Sequence, residues 1–179
     1  MVGKVRTALA ASAAIAASAC AIAPTADVSA KTFVEAAGVR THVAEWGSGE
    51  PILLIHGASS DVGVWEPTIV PTLKDRFHVV AYDRPGMGFT EQRPTDADQL
   101  AVQAKVAAGV IEQLGLKKPI VVAHSFGGAV ALRLALDRPD LVGGLVLIAP
   151  VAYEWPGGVS WHLYWSSNPL IGGLFNNVL

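Results

Sequence analysis

The chain has 179 residues, of which 51% are hydrophobic, and it carries a formal net charge of -2. This composition predicts one globular domain and excludes a disordered tail. The near-neutral balance, with no local run of Lys or Arg, excludes nucleic acid as a partner. The only cysteine, Cys20, has no second cysteine with which to form an intramolecular disulfide.

Residues 1–30 have the layout of an export signal. Lys4 and Arg6 precede an uncharged, alanine-rich run that extends to Thr25, and small residues follow it. Alanine is too weakly apolar for this run to be a good permanent membrane span. We therefore expect residues 1–30 to be a signal peptide and the mature protein to be exported, to the periplasm or to a membrane surface.

Two cleavage sites are compatible with this signal. Cys20 follows Ala-Ser-Ala, which resembles the bacterial lipoprotein box, although Ala17 stands where that box usually has leucine. Cleavage before Cys20 would leave a lipidated cysteine as a membrane tether. Ordinary cleavage after Ala30 would instead remove Cys20 with the signal, and both alternatives stay open.

From Thr32 onward, short apolar segments alternate with helical patterns. A helix is predicted over Asp98 to Leu116, and another after Ser125. Five segments are predicted as strands: Arg40 to Glu45, Pro51 to His56, His78 to Tyr82, Ile120 to His124 and Gly144 to Ile148. Runs such as ILLI and VLIA are apolar on both faces, which favours a mostly parallel sheet flanked by helices, the α/β class.

Three loops follow predicted strands, where sites form in open α/β sheets. They are His56 to Ser60, Asp83 to Gly88 and Ala123 to Gly128. In the third loop, Ser125 stands at the corner between a strand and a helix, and Ala123 and Gly127 are small enough for the two to pass. Ser125 is therefore the predicted nucleophile.

A negative charge that develops beside Ser125 would lie at a helix N-terminus. The backbone N–H groups of Phe126 and Ala58 are the predicted donors to that oxyanion. We expect His56, Gly57, His124 and Gly128 to support the two loops, in addition to Ala123 and Gly127. Asp83 is expected to bond backbone N–H groups in its turn, and Ser125 itself has the alternative role of a helix N-cap.

The motifs HGAS, DRPGMGFT, AHSFGG and LVLIAP occur in the order and at about the spacing seen in proteins of the α/β-hydrolase fold. The resemblance covers Phe33 to Pro150, and the tail WPGGVSWHLYW is similar to the start of a cap in bacterial serine hydrolases of this fold. It implies a core over residues 31–150, the start of a helical cap segment over 151–179, and no cofactor. It also implies that Ser125 attacks a small-molecule acyl substrate, at an ester or a related acyl or carbon–carbon bond. Epoxide hydrolases and haloalkane dehalogenases of the fold carry aspartate at the elbow, so Ser125 argues against both.

The resemblance also implies a histidine base and an acid that follow the nucleophile in the chain. The only histidine after Ser125 is His162, in the Trp-rich tail, whereas the family's base follows the last strand of a longer sheet. We therefore expect an incomplete core with no catalytic histidine before Leu179, and Glu154 is a weak candidate for the acid. No metal-ligand spacing occurs. The alternative function is an inactive remnant or a binding protein without the triad acid and base.

Overall fold

The computed structural model describes residues 31–91 and 99–152. In this part of the chain, six strands form one sheet in the order β1-β2-β4-β3-β5-β6. Their bounds are β1 Thr32–Ala36, β2 Val39–Trp46, β3 Glu50–Ile55, β4 Phe77–Tyr82, β5 Ile120–His124 and β6 Gly144–Ile148. Strands β4, β3, β5 and β6 run parallel, and β1 and β2 are added antiparallel at one edge.

The number of strands predicted was wrong, because β1 was missed. β1 and β2 form a hairpin whose register pairs Ala36 with Val39. The two connecting residues, Ala37 and Gly38, have φ angles of 51° and 72°. Two successive positive φ values are typical of the tight turn that matches the twist of paired strands, so the Ala-Gly dipeptide was the signal for this hairpin.

The described helices are α1 Val70–Leu73, α2 Leu100–Gln113 and α3 Phe126–Asp137, and a 3₁₀ turn spans Val62–Val64. α2 lies inside the predicted range and ends before Gly115, whose φ of 62° suits a left-handed helix end. The 3₁₀ turn and α1 were not predicted, since each is shorter than the window over which helical periodicity is visible.

The central strands β3, β4 and β5 are buried on both faces of the sheet, as their continuous apolar runs predicted. On one face, Leu53 and Val80 pack with residues of α2 and α3, including Val110 and Leu134. On the other face, alternate residues of the same strands pack against Trp65 and Val70. This two-layer cover holds β3, β4 and β5 rigidly, so the loops at their carboxyl ends are well positioned.

β6 lies at the edge of the sheet in the described part of the chain, where it pairs with β5 only. Val146 and Ile148 of this strand are 47% and 39% exposed. No helix among residues 31–91 and 99–152 is long and apolar enough to cross a membrane. The predicted signal peptide with Cys20, the cap segment, Glu154 and His162 lie outside the described residues.

Candidate active site

Ser125 lies at the corner between β5 and α3, with φ 51° and ψ -120°. L-residues with a Cβ rarely adopt this region, and those that do cluster at functional sites. The corner is held by its backbone, because the Ser125 N–H donates to the carbonyl of Ile148 at 3.0 Å and its own carbonyl accepts from Gly128 and Val151. The half-buried Ser125 side chain is thus fixed above the carboxyl end of β5.

Small residues are a steric requirement of this corner. A Cβ atom on Gly127 would stand 2.4 Å from the carbonyl oxygen of Ile55, and one on Gly128 would stand 2.5 Å from Cβ of Pro150. Neither separation is compatible with the observed backbone. Gly127 lets α3 approach the end of β3, and Gly128 lets the loop after β6 approach α3.

The loop after β3 contacts the corner directly. A Cβ atom on Gly57 would stand 3.1 Å from Cβ of Ser125 and 3.0 Å from Nδ1 of His124. Ala58, the next residue, is exposed, and Phe126 is the first residue of α3. The structure therefore brings together the two loops that carry the predicted nucleophile and the predicted oxyanion donors, while the acid and base remain predictions.

His56 is buried and makes hydrogen bonds with both ring nitrogens. Nε2 accepts from the backbone N–H of Arg84 at 3.0 Å, so Nδ1 carries the proton and donates to the carbonyl of Gly57 at 2.9 Å. Burial, and next the charge of Arg84, lower the pKa of His56 to about 4. This neutral ring of fixed tautomer connects the loop after β3 to the backbone of Arg84, while the loop-support role of His56 stays a prediction.

Arg84, for which the sequence predicted no role, is 2% exposed. Its Nε donates to the carbonyl of His56 at 3.0 Å, and Nη2 donates to the carbonyl of Gly57 at 2.7 Å. Nη1 donates to Oε1 of Gln103 on α2 at 3.2 Å. Burial lowers the pKa of Arg84, but a guanidinium remains charged in a protein. The position of this charged residue, two residues after an apolar strand, was the signal in the sequence that could have identified Arg84 as part of the site.

Asp83 links three segments of the chain. Oδ1 accepts from the backbone N–H of Val62, and Oδ2 accepts from that of Phe89 and contacts Nδ1 of His42 at 2.8 Å. These bonds agree with a structural Asp83. They tie the 3₁₀ turn after the His56 loop to β2 and to the loop after β4.

A cavity of about 380 Å³ lies beside β2 and the 3₁₀ turn, and its lining includes His42, Asp61 and Phe89. None of the predicted site residues lines it, so it is not the space in front of Ser125. Among residues 31–91 and 99–152, no three His, Cys, Asp or Glu side chains are grouped so that they could hold a metal ion.

A serine on a strained strand-to-helix turn, faced by a backbone loop from the neighbouring parallel strand, is the arrangement of α/β-fold hydrolases. The family model described as alpha/beta hydrolase fold matches residues 50–176. The chain belongs to this family, as the motifs predicted.

The chain is similar to several named hydrolases. It is 35% identical over 137 residues to the 2-hydroxymuconate semialdehyde hydrolase of Pseudomonas sp. (strain CF600), a match that covers 75% of this chain and 48% of that protein. The structure of a meta-cleavage product hydrolase from Pseudomonas fluorescens IP01 is 30% identical, with a TM-score of 0.67 over 77% of this chain and 52% of that one. An esterase from Exiguobacterium antarcticum is 26% identical, with a TM-score of 0.65 over 72% of this chain and 49% of that one.

The chain thus spans about half the length of these relatives.

Proposed function

We propose that the protein is a serine hydrolase in which Ser125 attacks the carbonyl carbon of an ester or of a related acyl or carbon–carbon bond. The observation that carries this proposal is the backbone of Ser125, held at φ 51° and ψ -120° with the Gly57 loop against its Cβ atom. A plain N-cap does not need a strained backbone, since Ser caps helices from extended conformations. Strain at this residue supports a functional role for its hydroxyl.

In the proposed reaction, Oγ of Ser125 adds to the carbonyl carbon while a histidine takes the hydroxyl proton. The carbonyl oxygen becomes negatively charged and accepts hydrogen bonds from the N–H groups of Ala58 and Phe126. Loss of one such donor lowers the rate about a hundredfold to a thousandfold in enzymes of this kind. The leaving group departs with a proton, and water then hydrolyses the acyl-enzyme.

The relatives favour a carbon–carbon bond next to a carbonyl group as the target. The proteins from Pseudomonas are named as hydrolases of 2-hydroxymuconate semialdehyde and of meta-cleavage products. An ester remains the second target, because the fold neighbour from Exiguobacterium antarcticum is an esterase. The same attack on a carbonyl serves both reactions, and the two differ in whether carbon or oxygen leaves.

A fluorophosphonate probe tests this function in the protein expressed from its own gene. We expect labelling of the folded protein and loss of label in Ser125→Ala. Turnover of a vinylogous 1,5-diketone acid and of p-nitrophenyl butyrate then separates a carbon–carbon hydrolase from an esterase. A folded protein that the probe does not label would favour the inactive remnant or binding protein.

We also propose that the protein is exported, with Cys20 as a lipidated membrane tether. The support is the charged start, the alanine-rich run and the Ala-Ser-Ala-Cys sequence at residues 17–20. Cells fed an alkyne fatty acid should yield a labelled protein, and Cys20→Ala should abolish the label. A mature protein that begins at Lys31 would instead identify a soluble exported form.

A further inference from the structure

The peptide unit that joins Gly57 to Ala58 is held from its carbonyl side. The carbonyl oxygen of Gly57 accepts from Nη2 of Arg84 at 2.7 Å and from Nδ1 of His56 at 2.9 Å. No cis peptide bond occurs in the described residues. In a planar trans peptide, the C=O and N–H bonds of one unit point in opposite directions, so fixing the Gly57 carbonyl also fixes the direction of the Ala58 N–H.

We propose that Arg84 is a positioning residue that sets the oxyanion hole by holding the Gly57 carbonyl, with His56 as the second donor. This inference rests on the proposed function, in which the Ala58 N–H binds the oxyanion. The two donors approach one oxygen from two side chains. A rotation of this peptide away from Ser125 would break both hydrogen bonds.

Arg84 also contacts the side chain of Phe126, the residue whose backbone N–H is the second predicted oxyanion donor. Its guanidinium carbon lies 4.9 Å from the centre of the Phe126 ring, within the range of a cation–π contact. Nε donates a hydrogen bond to the carbonyl of His56 and Nη2 donates one to the carbonyl of Gly57, so one guanidinium fork binds two successive carbonyl groups of the loop. A lysine has a single charged nitrogen and cannot reproduce this fork.

The remaining Arg84 contact keeps the side chain in place. Nη1 is bonded to the neutral side chain of Gln103, and no carboxylate forms an ion pair with Arg84 in the part of the chain that the structure describes. Its hydrogen bonds to two carbonyl groups and one side-chain amide satisfy the buried guanidinium with neutral acceptors. The guanidinium is thereby held against the loop that carries the Ala58 N–H.

The test compares Arg84→Met with Arg84→Lys in the protein expressed from its own gene, and has two readouts. The first is the rate constant of Ser125 labelling by a fluorophosphonate, expressed per folded molecule. The second is the residual dipolar coupling of the Ala58 N–H, which reports the direction of that bond without any chemistry. Leu134→Ala, a buried deletion in α3 away from the loops, serves as a control with a similar loss of stability.

We expect Ser125 of Arg84→Met to be labelled about tenfold to a hundredfold more slowly than in the wild type, because displacing a group at the site by about 1 Å can lower a rate by this factor. The residual dipolar coupling of the Ala58 N–H should change as well. Arg84→Lys, which keeps the charge, should fall between the two. Leu134→Ala should leave both readouts unchanged. If Arg84→Met does not fold, Arg84→Lys carries the test with the same two readouts.

An unchanged Ala58 coupling in a folded Arg84 variant would overturn the inference, whatever the labelling shows. Equal slowing by Arg84→Met and Leu134→Ala would also overturn it, since it would reflect stability alone. A wild-type protein that the probe does not label would contradict the proposed function, while the Ala58 coupling would still decide whether Arg84 orients the peptide.

Discussion

The strained backbone of Ser125 predicts an unusual effect of glycine at this position. Ser125→Ala and Ser125→Gly both remove the hydroxyl, and they differ only in the Cβ atom. That atom is the cause of the strain at φ 51° and ψ -120°. We therefore expect Ser125→Gly to be the more stable of the two variants, the reverse of the usual order.

The magnitude follows from two opposing terms. Holding a residue other than glycine in a sparsely populated backbone region costs about 1–3 kcal/mol. Glycine in turn loses more backbone entropy on folding, which costs about 0.5–1 kcal/mol relative to alanine. The free energy of unfolding of Ser125→Gly should thus exceed that of Ser125→Ala by about 1 kcal/mol, and by at most about 2.5 kcal/mol. For a domain of this size, each kcal/mol raises Tm by roughly 2–4 °C.

Urea unfolding followed by circular dichroism measures this difference. Lys105, an exposed residue within α2, supplies the control pair, because Lys105→Gly should be about 1 kcal/mol less stable than Lys105→Ala in an ordinary helix. If Ser125→Gly is instead less stable than Ser125→Ala by about 1 kcal/mol, as in an ordinary helix, the backbone at Ser125 is not strained. Backbone strain would then no longer support a functional role for the Ser125 hydroxyl.

Three further predictions follow from other parts of the structure. Gly127→Ala should lower the free energy of unfolding by about 1–3 kcal/mol, because its Cβ atom would clash with the Ile55 carbonyl. Gly144→Ala, whose Cβ atom would have no neighbour within 4 Å, should be neutral or stabilising. Equal effects in urea unfolding would refute this packing. Burial lowers the pKa of His56 from 6.5 to about 4, so the folded protein favours the neutral ring. The contribution of this shift to the free energy of unfolding is complete above pH 6.5 and is lost as the pH falls toward 4. At pH 5 the loss should be about 2 kcal/mol. This loss should be absent in His56→Asn and retained in His78→Gln, and an equal loss in all three proteins would exclude His56 as its source. An edge strand with exposed apolar side chains favours aggregation, so we expect Val146→Lys in β6 to reduce light scattering by the 179-residue chain. Val64→Lys, at a similarly exposed valine outside the sheet, should not reduce it. Equal light scattering by the two variants would refute this role of β6.

The fold was predictable from the sequence wherever a segment was long or punctuated. The apolar strands that directly precede His56, Asp83 and Ser125 are parallel, so their loops lie at one edge of the sheet in the structure, as predicted. β1 was not predicted, because its five residues lack a clear alternation of apolar and polar side chains. Gly38 in the turn that follows was the one local sign of a hairpin.

The hydrogen bonds of Arg84 could not be predicted from the sequence, because its partners are distant in the chain. The guanidinium binds carbonyls 27 and 28 residues earlier and an amide 19 residues later. Periodicity reports which face of an element is buried, and it carries no information on which backbone carbonyl a buried arginine selects. That choice depends on the parallel register of β3 and β4, which pairs Ile55 with Tyr82 and so brings the loops that begin at His56 and Asp83 next to each other.

If Ser125 is the nucleophile, a brief reaction with an activated ester should leave an acyl group on its Oγ atom. The protein expressed from its own gene would be mixed briefly with p-nitrophenyl acetate, quenched in acid, digested and analysed by peptide mass spectrometry. We predict one acetyl group on the peptide that contains Ser125 and none in Ser125→Ala. A folded protein with no acetyl group on that peptide, or with the group on another residue in both proteins, would contradict the claim.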